Sequence, residues 1–286
     1  MRRKNWIMNN LVTILLATYN SERYIREQLD SLFAQTFQDW QLVVRDDLST
    51  DKTLDIIKEY RNRYPGRIRV LDSDGKSFRA YRNFYELLSR VESDYYMYCD
   101  HDDVWLPNKI ELSIKRMKEV EEVHPDLPII VHTDMRVVDG NLNTLSESFW
   151  KYSRLLPEHT KFRELVLCNS VNGCTMLFNR KAREVALPHV KHATMHDMLV
   201  TQSVAANGGV ISPIYTPTVL YRQHIDNVVG AHERNKSFYA AKLKSLGQTL
   251  QNNYRDWQLA SQIKYFSYWS YWWTKVRVSY YRMKIK

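Results

Sequence analysis

Through the first half of the sequence, short β-rich runs alternate with amphipathic helical patterns, and that order admits few folds. Residues 11–17 (LVTILLA) have the composition of a buried strand, and residues 22–34 follow with Ile25, Leu29, Leu32 and Phe33 on one helical face. Residues 42–45 predict a second strand. Ser49 or Thr50 then caps a helix reaching about Tyr60, with Leu54, Ile56 and Ile57 as its apolar positions. Residues 68–71 predict a third strand, 83–91 a helix and 95–99 a fourth strand. Pro107 suits the first turn of a helix through Val120, and 129–132 read as a further strand. Strand–helix alternation of this kind implies an α/β fold with a mainly parallel sheet covered by helices on both faces.

The second half is less regular. Residues 173–178 predict a strand, 195–206 a helix stopped by Asn207-Gly208-Gly209, and 219–222 a late strand. Among the 286 residues, 44% are apolar and 26% charged, which excludes a disordered or collagenous chain. The net charge of +9 is unevenly placed: residues 231–286 hold 11 basic and 2 acidic side chains, whereas residues 1–230 are neutral. Cys99, Cys168 and Cys174 show no metal-ligand spacing and read as reduced thiols of a cytoplasmic protein. Met1-Arg2-Arg3-Lys4 resembles the start of a signal peptide. The apolar run behind it, however, is broken by Asn9 and Asn10 and has no small-residue cleavage site. No stretch reaches the roughly 18 uninterrupted apolar residues of a membrane-crossing helix.

In open α/β sheets, ligands bind outside the carboxyl ends of the strands. Three polar clusters fall at such ends: Thr18-Tyr19-Asn20, Asp46-Asp47 and Asp100-His101-Asp102-Asp103. Three carboxylates within four residues repel one another unless a cation sits among them. Mg²⁺ or Mn²⁺ held against a diphosphate meets that need, and a solvated acidic loop or a helix cap by Asp103 is the plainer alternative. Asp46 to Asp51 taken alone reads as a turn and cap.

The order and spacing of these clusters resemble the family 2 glycosyltransferases of the GT-A fold. The resemblance is carried by Val12 to Asn20, Gln35-Thr36-Phe37, Val44 to Asp51 and Cys99 to Lys109. Gly173-Cys174-Thr175-Met176, Met195-His196-Asp197 and Tyr221 to Gly230 are similar to the subgroup that transfers rhamnose, in particular the cell-wall α-1,3-rhamnosyltransferases. The match spans residues 11–230. It implies a GT-A domain over 1–230, with a nucleotide-sugar half to about residue 104 and an acceptor half over 105–230. It implies that Thr18, Tyr19, Asn20, Asp46, Asp100, His101 and Asp102 bind the nucleotide-sugar. Asp102, Asp100 and His224 would hold Mg²⁺ or Mn²⁺. Asp197 would be the catalytic base, and Asp103, Trp105, Gly173 and His196 would line the acceptor side, His196 without a role as ligand. The Gln-x-x-Arg-Trp motif of processive members is absent after residue 200, so one sugar per encounter is expected.

A carboxylate base without an enzymic nucleophile implies single displacement with inversion, so dTDP-β-L-rhamnose would give an α-rhamnoside. Alternatives are a UDP-hexose donor, a non-catalytic sugar-nucleotide-binding scaffold, or a basic membrane adaptor. Residues 265–286 hold nine aromatic and five basic side chains and no acid. Such a helical tail suits the anionic cytoplasmic leaflet, near a polyprenyl-linked saccharide acceptor. The other reading is a helical hairpin packing its aromatics on the catalytic domain or on a second copy in a homo-oligomer. No recognition motif supports a nucleic-acid partner.

Overall fold

The computed structural model describes residues 6–7, 11–73, 75–192, 195–224 and 246–285. In chain order the elements are β1 (Trp6–Ile7), β2 (Val12–Thr18), α1 (Ile25–Phe33), β3 (Trp40–Asp46), α2 (Thr53–Arg63), β4 (Ile68–Leu71), α3 (Arg79–Arg90), β5 (Val91–Glu92) and β6 (Tyr95–Cys99). Next come β7 (Val104–Trp105), α4 (Lys109–Val123), β8 (Ile129–Val138), β9 (Thr144–Ser146), α5 (Phe149–Tyr152) and α6 (Phe162–Leu167). They are followed by β10 (Met176–Asn179), α7 (Arg180–Ala186), α8 (His196–Ala206) and β11 (Val210–Arg222). Two tail helices, α9 (Leu246–Ile263) and α10 (Tyr268–Met283), close the described chain.

Among the described residues nine strands form one sheet in the order β4-β3-β2-β6-β10-β8-β11-β7, with β9 on β8 and a separate β1–β5 pair. The β4-β3-β2-β6 half is wholly parallel, as the strand–helix alternation predicts. The other half is mixed, because β10 runs antiparallel to both β6 and β8 while β11 runs parallel to β8.

Strand β2 shows why the sheet is a two-sided core. Val12, Ile14 and Leu16 pack on one face with Ile25 and Leu29 of α1 and Ile110 of α4. Leu15 and Ala17 pack on the other with Phe84 and Leu88 of α3 and Leu199 of α8. The period of two sends alternate side chains to opposite faces, and both faces are apolar because helices cover both. The expected strand at 173–178 begins instead as a 3-10 turn over Gly173–Thr175, and the strand proper is β10.

Helices α9 and α10 pack back onto the α/β body. Phe162 and Val166 of α6 form one apolar cluster with Ala260, Phe266 and Tyr271, and Val278 joins Leu156 and Cys168 in another. The packing reading of the tail therefore describes one side of it. Residues 225–245, which include the expected start of the tail and the end of the Tyr221 to Gly230 motif, lie outside the described residues.

Candidate active site

Strand register gathers the polar clusters. Thr18 at the end of β2 lies beside Asp46 at the end of β3, and Leu16 lies beside Cys99 at the end of β6. The segments leaving these three strands therefore share one edge. The Thr18 hydroxyl donates to Asp46 at 2.8 Å, and the same carboxylate accepts the backbone N–H and the hydroxyl of Ser49 at 2.8 and 2.6 Å. Asn20, in the left-handed region at φ 45°, joins the same loop: its N–H donates to Ser49 and its side-chain oxygen accepts from the Thr50 N–H. Asn tolerates that conformation better than a bulky residue. Tyr19 is left 55% exposed beside this wall.

The neighbouring Asp47 is buried. It pairs with Arg45 at 3.3 Å and accepts from the Ser77 hydroxyl and the N–H groups of Phe78 and Arg79. These bonds hold Arg79 at φ 64° and fix the loop that leads into α3. That role was illegible in the sequence, because its partners lie about thirty residues away.

The acidic cluster splits into two layers. Asp100, His101 and Asp102 are partly exposed at the sheet edge. Burial and the charges of Asp102 and Asp197 raise the Asp100 pKa, so the carboxylate of α8 acts on the cluster left by β6. Burial lowers the pKa of His101, which also bonds the Ala17 backbone. The ring of His224 sits against Asp102, Nε2 to Oδ2 at 2.8 Å, and lies 4.8 Å from the Tyr24 ring.

Asp103 and Trp105 turn the other way. Asp103 is fully buried, accepts the Arg222 N–H at 3.1 Å and meets the Cys174 thiol. Trp105 is 2% exposed, packs in the main core, and sits opposite Val219 in the β7–β11 pair. Both side chains are therefore buried, Trp105 through the pairing of β7 with β11 and Asp103 through the bond it accepts from Arg222. Beneath them lies Lys109, wholly buried, with its ammonium 4.7 Å from the centre of the Trp105 ring. Burial pulls its pKa down to about 8 against the opposing pull of Cys174, Cys99 and Asp103.

The segment after the cluster is clamped from α1. Ser31 accepts the Trp105 N–H, and the Gln35 amide donates to the Leu106 carbonyl and accepts from the Ile110 N–H. The Thr36 N–H donates to the Pro107 carbonyl at 2.8 Å. The Gln35-Thr36 pair therefore positions the acidic loop from a distance.

Asp197 stands in the first turn of α8. It accepts the Met198 N–H at 2.6 Å and hydrogen-bonds the backbone of Gly173. Backbone N–H groups at a helix start favour the charged form, but burial outweighs them and pushes the pKa up to about 6. Gly173 permits a close approach by a neighbouring side chain. A Cβ there would fall 2.4 Å from Nε2 of His196, so the glycine makes room for the imidazole. His196 is stacked on Phe84 at 4.0 Å, neither ring nitrogen has a hydrogen-bond partner among the described residues, and burial lowers its pKa to about 3. It is a neutral packing residue beside Gly173 and Phe84.

Sequence reasoning passed over Arg222. Its guanidinium, 2% exposed, donates to the carbonyls of Asp102 and Gly140 at 2.8 Å, pairs with Glu27, and lies 4.6 Å from the Tyr24 ring centre. A lone Arg inside the apolar end of a strand was the available signal.

Two groupings are candidates for a divalent cation. Asp100, Asp103 and Cys174 bring ligand atoms within 4.8 Å of one another. That inner set suits Mg²⁺ or Mn²⁺ poorly, since burial holds the Cys174 thiol protonated and Lys109 already supplies positive charge there. Asp102 and His224 bring a carboxylate oxygen and a ring nitrogen together at 2.8 Å, donors that suit a hard or borderline ion.

Comparison with known proteins bears on the family and the fold. The model of "Glycosyl transferase family 2" matches residues 13–185. A dTDP-rhamnosyl transferase of Shigella flexneri, RfbG, is 31% identical over 258 residues, covering 84% of this chain and 81% of the relative. The putative glycosyltransferase EpsE of Bacillus subtilis is 27% identical over 51% of this chain and 48% of its own. Among solved structures, TarS 1–349 of S. aureus in complex with UDP-GlcNAc superposes with a TM-score of 0.55 at 21% identity. That match covers 76% of this chain and 59% of TarS 1–349. The mannosyltransferase PcManGT of Pyrobaculum calidifontis, bound to GDP-Man and Mn²⁺, gives a TM-score of 0.52 at 14% identity over 96% of this chain and 74% of its own. At these identities the solved structures speak for the fold. With a domain match over more than half its length and a relative alignable over most of both sequences, the chain is a glycosyltransferase and belongs to glycosyl transferase family 2.

Proposed function

We propose that this enzyme transfers L-rhamnose from dTDP-β-L-rhamnose to a lipid-linked rhamnosyl acceptor, with inversion, one sugar per encounter, at the inner face of the plasma membrane. The observation that carries the reading is the convergence at one sheet edge of the Asp102–His224 pair and Asp197, whose charge raises the Asp100 pKa. Similarity to the dTDP-rhamnosyl transferase RfbG supports the donor.

In this reading Thr18, Tyr19, Asn20 and Asp46 form the wall for the nucleoside, with Asp46 held in place by Thr18 and Ser49. Asp100, Asp102 and His224 hold Mg²⁺ or Mn²⁺, which supplies positive charge to a departing diphosphate when bound. His101 lines the same loop. Asp197 is the base: it takes the proton of the acceptor hydroxyl as that oxygen bonds the anomeric carbon. The bond from that carbon to the diphosphate breaks on the opposite face, and dTDP leaves. A β-linked donor then yields an α-linked product. Gly173 and His196 act on the acceptor side by fixing Asp197 from behind.

Turnover across dTDP-rhamnose, UDP-glucose, UDP-galactose and UDP-N-acetylglucosamine tests this, with the anomeric configuration of the product read by NMR. Preference for dTDP-rhamnose and an α-product are expected. Preference for a UDP-sugar overturns the donor assignment, and retention overturns the role of Asp197 as a base in single displacement.

A further inference from the structure

Helix α10 has two opposed faces. At 100° per residue, the buried Tyr271, Thr274, Val278 and Arg282 fall on one side and dock the helix on the catalytic body. Arg282 fastens that side by donating to the carbonyls of Ser153 and Arg154 at 2.8 and 2.7 Å. Trp269, Trp273, Val276, Tyr280 and Met283 recur at intervals of four and three residues and occupy an arc of about 80° on the opposite side. They are 85%, 76%, 64%, 51% and 63% exposed. Packing the tail on the body thus leaves a second apolar stripe along a helix about 24 Å long, outside the catalytic machinery.

We infer that this stripe is the surface by which the protein lies on an anionic lipid bilayer. The inference rests on the proposed membrane location and names the residues that realise it. Three observations choose lipid over a second copy of the chain. The stripe is built mainly of Trp and Tyr, which favour the lipid–water boundary, whereas a four-three seam between helices is ordinarily filled by Leu, Ile and Val. Residues 231–286 carry a net charge of +9, so pairing two tails brings like charges together while an anionic surface attracts them. Cations also border the stripe, with Lys284 4.4 Å from the ring centre of Tyr280 and Arg163 bonded to Ser270. No helix among the described residues is long and apolar enough to cross a membrane, so the contact is one of lying on the surface.

Co-sedimentation of the full chain with phosphatidylcholine vesicles, with and without phosphatidylglycerol, tests the inference. The wild type should bind the phosphatidylglycerol vesicles, with Trp emission shifted to the blue and quenched by brominated lipid. Trp269→Ser with Trp273→Ser should weaken that binding by about tenfold or more, since each loses a large buried apolar area. Transfer to a water-soluble acceptor should be unchanged, because neither residue belongs to the site. Equal binding by the double variant overturns the inference. So does a wild type that elutes as a dimer which the double substitution splits. Because vesicle binding is read without turnover, loss of the lipid surface and failure of the proposed reaction are separate results.

Discussion

At the residue scale, the proposed role of Asp197 as the base predicts a pH dependence. A base must be deprotonated, and burial places its pKa at about 6. Turnover should therefore fall as pH drops through about 6 and level off above it, as a single-proton profile in kcat. Asp197→Asn should lower kcat by about 10²–10⁴-fold with little change in KM. The same shift has a stability sign. A carboxyl whose folded pKa is raised binds its proton more tightly when folded, so its stabilising contribution is present below about pH 4 and is lost as pH rises through about 6. The Asn variant should accordingly melt at a higher temperature than the wild type at pH 7.5. Gly173 carries a second prediction. A methyl group there meets a ring already stacked on Phe84, so Gly173→Ala should destabilise by about 1–3 kcal/mol in denaturant titration. It should also lower kcat, since the Gly173 backbone hydrogen-bonds Asp197. The acid residues themselves were legible in the sequence. Which of them face outward was not, because the inward turn of Asp103 is set by Arg222, 119 positions later.

At the element scale, the parallel strands were legible because each is a short apolar run ended by polar or turn-forming residues. Strand β11 was read only at its last four residues. Pro213 and Pro217 argue against a strand, yet it runs from Val210 to Arg222, with register shifts around Pro217 that accommodate the lost donor. The short helices α5 and α6 left no periodic signal. The end of β11 bears the load of the site's far wall through Arg222. Arg222→Ala leaves the carbonyls of Asp102 and Gly140 and the Glu27 carboxylate without their donor, and should cost about 2–4 kcal/mol of stability in thermal unfolding. With the wall beside His224 loosened, KM for the nucleotide-sugar should rise more than kcat falls. Arg222→Lys should not rescue it, since one ammonium cannot reproduce the planar fork.

At the scale of the whole molecule, two properties were visible from composition: a charge-neutral catalytic body and a basic, aromatic tail. The docking of α9 and α10 on α6 was not visible, since an amphipathic pattern does not name the surface it meets. The cation proposed at the sheet edge gives a prediction for the whole enzyme. Chelation should abolish transfer, Mn²⁺ or Mg²⁺ should restore it, and turnover unaffected by chelator would remove the metal from the reaction.

The reversed strand β10 has a consequence for how the enzyme works. It stitches the parallel half to the mixed half, so the turn contacting Asp197 and the segments leaving β2, β3 and β6 grow from a single continuous sheet. In the proposed reaction, the leaving-group end and the proton-accepting end are therefore borne by the same sheet. Their mutual alignment is inherited from folding itself, and substrate binding has only the surrounding loops left to organise.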